Sequence, residues 1–314
     1  MKKVAVVILN YCTLEDTIAC VDSIRVHTKG VAYKVYIVDN ASPDKSGDLL
    51  HARYKSDCNV TVLLSKLNLG FSGGNNIGIQ AALADKYEYV YLLNSDIILL
   101  NDALAIMQDA FESSTDVVVV GPSVFNNMKH YMQYARNGIS LATYISSQRT
   151  ILTLFPMLNR KLRYYNYDLT KDYSFAGMVS GCCFGIRVDF IQQNKCLDDN
   201  IFMYYEEDIL AHLIKNLGKR AMIASKAQII HNEGVSTKKS SVDRLLFTRF
   251  YRWTSVLYVL KNYAKVNVFL CKIISLQNIL IWFLLSLVDE RYKRKFSDFI
   301  RENKKILKKK RVCQ

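Results

Sequence analysis

Asp96 follows the apolar run Tyr89–Leu93 in the segment Leu93-Asn94-Ser95-Asp96. A carboxylate two residues after an Asn at a strand end suits Mg²⁺ or Mn²⁺, hard cations that take one or two carboxylates and keep positions open for diphosphate oxygens. Asn-Ser-Asp is equally good turn or N-cap chemistry, so the segment alone leaves both readings open. Asp39, at the end of Val35–Val38, is similarly double. It suits a ribose hydroxyl or a base edge, and it suits an Asx turn closed by Ser42. His231, after the short apolar run Gln228–Ile230, is either an imidazole ligand of the same cation or a capping residue. Glu206-Glu207-Asp208 opens a helical pattern behind Phe202-Met203-Tyr204-Tyr205. The helix dipole favours carboxylates in a first turn, while desolvation against an aromatic wall would raise a carboxyl pKa and suit a general base. Residues 70–76 read as a Gly/Asn loop, in which Gly70 and Gly73 would let the backbone approach a nucleotide beside Asn75. The loop is neither a G-x-G-x-x-G fingerprint nor a P-loop.

These groups need a frame, and the apolar runs supply one. Val4–Leu9, Val35–Val38, Val60–Leu64, Tyr89–Leu93 and Val117–Val120 predict strands, several of them continuously apolar as in a sheet covered on both faces. Gly121-Pro122 is expected to stop the last of these. Leu14–Val26 and Ile77–Ala84 predict helices between strands, so the fold class is α/β with a mostly parallel central sheet. Ligands bind such sheets at the carboxyl ends of the strands. Three strands end in polar sets, Asn10-Tyr11, Asp39-Asn40 and Asn94-Ser95-Asp96, which points to one site built from three loops. Residues 126–174 read as irregular, an expected acceptor-side insertion. Beyond them Val179–Val188 predicts a strand, Glu206–Asn216 a helix, and Ala221–Ala224 and Gln228–Ile230 two short strands.

In this order the motifs resemble the family 2 glycosyltransferases with the GT-A fold, particularly their bacterial rhamnosyltransferase-like branch. The resemblance runs from about residue 3 to 240. It rests on Val6-Val7-Ile8-Leu9-Asn10-Tyr11, Val38-Asp39-Asn40-Ala41-Ser42, the stretch from Asn68 to Asn76, Leu93-Asn94-Ser95-Asp96, the stretch from Leu197 to Glu207, and the set His231, Gly234 and Ser236. It implies that Asp39 holds the nucleobase with Asn10 and Tyr11 beside it, and that Asn40, Gly70, Gly73 and Asn75 belong to the same donor site. It implies that Asn94-Ser95-Asp96 is the D-x-D element, with Asp96 and His231 as ligands of Mn²⁺ or Mg²⁺. Glu207 takes the place of the family's catalytic Asp. Glu is one methylene longer, and Ile209 stands where many members are acidic, so Asp208 is a rival base. One base and one cation suit a single displacement with inversion, in which the cation stabilises a leaving nucleoside diphosphate. The second reading is a catalytically silent sugar-nucleotide or glycan-binding partner protein; a nucleotidyltransferase would need a basic Gly-rich loop at the first strand.

The chain has 314 residues, 22% charged and 50% hydrophobic, which is globular composition and excludes collagen, coiled-coil arrays and disorder. Its net charge of +14 is unevenly placed. Residues 1–234 are neutral, with 23 basic and 23 acidic residues, and all the excess lies in 235–314. The expected division is a catalytic domain over 1–240 and a basic, apolar helical region over 241–314. In the latter, Ile273–Val288 has no charged residue, and a polybasic tail follows. That pattern predicts association with an anionic membrane surface, with packing on the catalytic domain or a homodimer through these helices as alternatives and no nucleic acid. The eight cysteines lack metal-type spacing, and the opening apolar run is too short for a leader, so a reducing compartment is expected. With the resemblance, this places the chain peripherally at the cytoplasmic face of a bacterial inner membrane. It would act on a lipid-linked or polysaccharide acceptor with a donor such as dTDP-rhamnose or a UDP-sugar.

Overall fold

The computed structural model describes residues 3–128, 130–132, 136–147, 168, 170–194, 197–232 and 241–309. Gly234, Ser236, most of the expected insertion and the last five residues lie outside this set. The chain divides into two compact units: one of residues 1–137, 164–199 and 214–238, the other of 138–163, 200–213 and 239–314.

The first unit is a sheet flanked by helices. Its strands are β1 (Lys3–Asn10), β2 (Ala32–Asp39), β3 (Val60–Leu64), β4 (Tyr89–Asn94), β5 (Ile97–Leu99), β6 (Val117–Phe125), β7 (Tyr131–Met132), β8 (Tyr173–Ala176), β9 (Cys183–Arg187) and β10 (Arg220–His231). The main path runs β3-β2-β1-β4-β9-β6-β10-β5. Six of these eight strands point one way, and β9 and β5 are reversed. Val4 to Ile8 and Val35 to Val38 are essentially inaccessible, as the unbroken apolar runs require. Helices α1 (Leu14–His27), α2 (Ser46–Tyr54), α3 (Gly70–Ala84) and α4 (Ala103–Glu112) supply the cover. In α4, Leu104, Met107, Ala110 and Phe111 form the buried stripe, and Asp102 caps the first turn.

Three expectations are corrected here. The Gly/Asn stretch is not a loop, because α3 already begins at Gly70. Its glycines pay a helix-propensity cost of about 1 kcal/mol each, and packing explains why they are kept. A Cβ on Gly74 would lie 2.5 Å from Leu9 Cδ1, and one on Gly78 would lie 2.4 Å from Val7 Cγ1, so bare backbone lets α3 rest on β1. Gly78→Ala should therefore lower the unfolding free energy by about 1–3 kcal/mol, read as a drop in the urea midpoint at unchanged slope. Next, Gly121-Pro122 does not end the fifth strand; β6 continues to Phe125. The missing proline N–H is accommodated by the partner. After the pair Ala224↔Pro122 the register of β10 jumps to Gln228↔Ser123, and Ser123 Oγ donates to Ser225 O at 2.9 Å inside the bulge. The two expected short strands are thus the halves of one bulged strand. Finally, Val179–Val188 is a shorter strand, β9, running directly into α6 (Val188–Gln193).

In the second unit a short helix, α5 (Leu141–Ser147), accompanies α7 (Glu206–Asn216), most of which belongs here, and three long helices, α8 (Ser241–Asn262), α9 (Val268–Ser286) and α10 (Glu290–Lys308). Trp282 of α9 stacks on Phe299 of α10 with ring centroids 4.3 Å apart, and Phe250 and Trp253 of α8 meet the pair edge-on or tilted. The buried Lys261 ammonium donates to Ile306 O at 2.5 Å and to Lys309 O, satisfying carbonyls at the negative end of α10.

Candidate functional site

Parallel pairing brings three polar strand ends together in the first unit. Asn10 stands opposite Asp39 and Leu9 opposite Asn94, so β1, β2 and β4 finish at one edge. The buried Asp39 carboxylate accepts from Asn10 Nδ2 and Ser42 Oγ on Oδ1, each at 2.6 Å, and from Ser42 N on Oδ2 at 3.0 Å. The turn reading of Asp39 is therefore met, and the same bonds fix the carboxylate at the strand end. Asn10 is the hub. Its Nδ2 also faces Ser46 Oγ at 3.0 Å, and its Oδ1 accepts from Thr17 Oγ1 at 2.9 Å and lies 3.0 Å from Thr13 Oγ1. Thr13 Oγ1 is 2.9 Å from Ser95 Oγ, which ties the first strand end to Asn94-Ser95-Asp96. Gly47 completes the cradle, since a Cβ there would lie 2.5 Å from Asp39 Cγ.

The other donor-site expectations separate by contact. Asn40 Nδ2 donates to Asn68 Oδ1 and Gly70 O, both at 3.0 Å, and its Oδ1 accepts from Leu69 N at 2.9 Å, so it pins the start of α3. Asn75 Nδ2 donates to Phe71 O one turn back, and its Oδ1 is buried with no hydrogen-bond partner among the described residues. Gly70 has a left-handed φ of 73°, which glycine adopts freely, and a Cβ on Gly73 would press on Leu69 at 2.8 Å. Both glycines serve the entry into α3. Tyr11 is exposed.

Asp96 and His231 are joined by the antiparallel pairing of β5 with the end of β10, which sets His231 opposite Ile97. Asn232 N donates to Asp96 O at 3.0 Å. The imidazole Nε2 lies 3.3 Å from Asp96 Oδ1, an ion-pair distance without hydrogen-bond alignment, and that oxygen is buried without a hydrogen-bond partner among the described residues. Burial opposes charging the ring, but the Asp96 carboxylate and Cys182 outweigh it and push the His231 pKa up to about 10, so a cation held here would displace the ring's proton. A buried carboxylate oxygen left over beside an imidazole fits a divalent cation. No group of three or more His, Cys, Asp or Glu side chains suited to a metal gathers among the described residues. The remaining positions would fall to diphosphate oxygens and water, as such cations prefer.

Glu207 and Asp208 belong to the second unit, on the first turn of α7. The aromatic run ahead of them is anchored by α8. Phe202 stacks on Tyr251 with centroids 4.6 Å apart, Tyr204 Oη meets Thr248 Oγ1 at 3.3 Å, and Ser255 Oγ donates to Met203 O at 2.8 Å. Tyr204 and Tyr205 have φ of 71° and 72°, a costly backbone for bulky residues, and it is held directly before the acidic triplet. Asp208 is buried and its Oδ1 accepts from Ile139 N at 2.5 Å, so one of the rival bases bears a structural bond; Glu207 is half-buried.

Glu206 keeps some exposed surface, yet its Oε1 is buried without a hydrogen-bond partner among the described residues. Burial, then the neighbouring Glu207 charge, pushes its pKa from 4.5 up to about 8. The folded state thus favours the protonated form: the stabilisation is full below the unfolded pKa and is lost as pH rises through about 8. Glu206→Gln, neutral throughout, should match wild type in mild acid and exceed it by about 1–2 kcal/mol in mild alkali. Urea midpoints on either side of neutrality check this.

The sequence reading named Ser42 as the close of the Asp39 turn but missed Thr13, Thr17, Ser46, Gly47 and Cys182. A signal was present for three of these: hydroxyls stand three and seven residues after the last residue of β1, and seven after that of β2 as well as at Ser42.

The profile described as "Glycosyl transferase family 2" matches residues 4–194, more than half of the chain. The low-salt glycan biosynthesis hexosyltransferase Agl10 of Haloferax volcanii is 27% identical over 239 residues, which are 74% of this chain and 67% of that protein. Glycosyltransferase GlyG of Streptococcus pneumoniae is 30% identical over 117 residues, 37% of this chain and 38% of GlyG. Among solved structures, GalNAc-T7 with UDP, GalNAc and Mn²⁺ superposes with a TM-score of 0.54 at 14% identity, covering 82% of this chain and 51% of that one. The mannosyltransferase PcManGT of Pyrobaculum calidifontis with GDP-Man and Mn²⁺ also gives 0.54, at 13% identity, covering 81% and 61%. The chain thus spans about two thirds of the curated hexosyltransferase and less of these solved neighbours, whose likeness is one of fold.

Proposed function

This chain belongs to glycosyl transferase family 2, and on that premise we propose that it is an inverting, cation-assisted glycosyltransferase that moves a hexosyl or rhamnosyl unit onto a hydroxyl of a lipid-linked surface glycan. The observation that carries the reading is the buried Asp96–His231 pair beside the Asn10–Asp39 network at the carboxyl ends of the parallel strands. A divalent cation held by Asp96 and His231 would offset the charge that develops on the departing diphosphate.

The chain's own residues do the rest. Asp39, oriented by Asn10 and Ser42, accepts hydrogen bonds from the base or ribose of the donor, while Thr13 and Ser95 hold the two loops in register. Glu207 accepts the proton of the acceptor hydroxyl as its oxygen bonds to the anomeric carbon. The bond from that carbon to the diphosphate breaks, and its electron pair leaves with the nucleoside diphosphate. Asp208 keeps the loop at Ile139 in place.

Family membership supports sugar transfer from a nucleotide donor, and the Mn²⁺ complexes of GalNAc-T7 and PcManGT support the cation. The glycan-biosynthesis role in the name of Agl10 supports a glycan acceptor; we further place the acceptor at the cytoplasmic face of a bacterial inner membrane and take dTDP-rhamnose or a UDP-sugar as donor. The test is stereochemical. Proton NMR of the transfer product should show the anomeric configuration opposite to that of the donor, and a retained configuration would rule out single displacement.

A further inference from the structure

The apolar helix α9 has two unlike faces. Cys271, Ile274, Ser275, Asn278, Trp282 and Ser286 are buried. The opposite face carries ten large apolar side chains in the open, repeating every three or four residues from Phe269 to Val288, with only Lys272 and Gln277 exposed among them. Leu276, Leu284 and Leu287 are each more than half exposed. A water-facing stripe of this kind is unusual on a soluble surface and marks something that covers it.

What covers it is constrained by α10, which shares the buried face with α8. Ser275 Oγ donates to Asn303 Oδ1 at 3.0 Å, Trp282 Nε1 donates to Tyr292 O at 3.1 Å, and at the rim of the open stripe Phe283 meets Phe296. That neighbour carries eight Lys and Arg against three Asp and Glu. The 19 residues and mean hydropathy of 2.0 of α9 would suit a span. A span, however, would carry this highly charged partner to hydrocarbon depth, at about 2.5–3.5 kcal/mol for each central charge. A second copy would bring the same basic helix against its twin. An anionic bilayer takes both features at once: acyl chains receive the exposed stripe, and basic side chains one helix diameter away, within about a Debye length, meet the headgroups.

We propose that α9 is an in-plane membrane-docking helix that beds its Phe269–Val288 face into an anionic bilayer, with α10 as the basic flank. Two sets of exposed residues allow this to be tested without disturbing the fold. Full-length chain should float with vesicles of equal parts phosphatidylcholine and phosphatidylglycerol, and much less with phosphatidylcholine alone. The triple variant Leu276→Gln, Leu280→Gln, Leu284→Gln should bind at least about a hundredfold more weakly at an unchanged thermal midpoint. Replacing Arg294, Lys304 and Lys308 by Gln should weaken binding about tenfold or more and flatten its salt dependence. Fluorophores placed at positions 273 and 287 should report equal depth. The proposal fails if the leucine variant binds like wild type, or if the two labels report a deep end and a shallow end, as in a span. It also fails if wild type ignores vesicles and instead forms a dimer that the leucine variant dissociates. Donor is absent throughout, so the outcome is independent of the transferase reading.

Discussion

Asp96→Ala should lower sugar-transfer turnover by about three orders of magnitude, the scale of losing the charge stabilisation a bound cation supplies to a leaving group. The substitution removes the one buried carboxylate oxygen that has no hydrogen-bond partner among the described residues and faces the His231 ring. Asp96→Asn makes the sharper variant. It keeps the shape and the backbone bond from Asn232, which uses the Asp96 carbonyl and not its side chain. If Asp96 holds a cation, Asn should be nearly as inactive as Ala, and both should lose the Mn²⁺ dependence of nucleoside diphosphate binding seen in calorimetry. If Asp96 only buttresses His231, Asn should recover most of the activity, because an amide oxygen still meets the ring.

Glu207→Gln should cut kcat by roughly two to four orders of magnitude at an unchanged donor KM, the signature of losing a proton acceptor used only in the transition state. Asp208→Asn should behave differently. Its Oδ1 holds Ile139 N in a buried position, so replacing the charged acceptor should destabilise the second unit by about 1–3 kcal/mol while kcat per folded molecule falls little. The pair of variants therefore separates base from brace. Should Asp208→Asn carry the larger loss in kcat with stability unchanged, the roles must be exchanged.

The sheet was legible because strands covered on both faces must be continuously apolar, and Val4 to Ile8 and Val35 to Val38 are. The donor edge was legible for the complementary reason: Asn10, Asp39 and Asn94 are polar where those runs stop, and parallel pairing stacks the stops. What misled was local chemistry that tertiary packing reversed. Gly70, Gly73 and Gly74 look like a loop by propensity, yet α3 already begins there and the bare backbone of Gly74 lets it lie against β1. Pro122 looks like a terminator, yet a bulge in the neighbouring strand absorbs it. The Asn10 hub was half legible from spacing: Thr13 and Thr17 follow it at three and seven residues, whereas Asp39, Ser42 and Ser46 become its neighbours only when β1 and β2 pair. Nor could the two faces of α9, whose composition suits a span until the charged partner along its length is seen.

The measurement that bears most directly on the central claim is a donor screen read by product mass. The full chain is incubated with an undecaprenyl-type acceptor analogue and single nucleoside-diphosphate sugars, with Mn²⁺ or with a chelator. The account predicts one donor whose sugar appears on the acceptor, stoichiometric release of its nucleoside diphosphate, and loss of both with chelator or in Asp96→Asn. A chain that binds a nucleoside-diphosphate sugar in the presence of Mn²⁺ but transfers none across the screen would contradict it and leave a sugar-nucleotide-binding partner protein in its place.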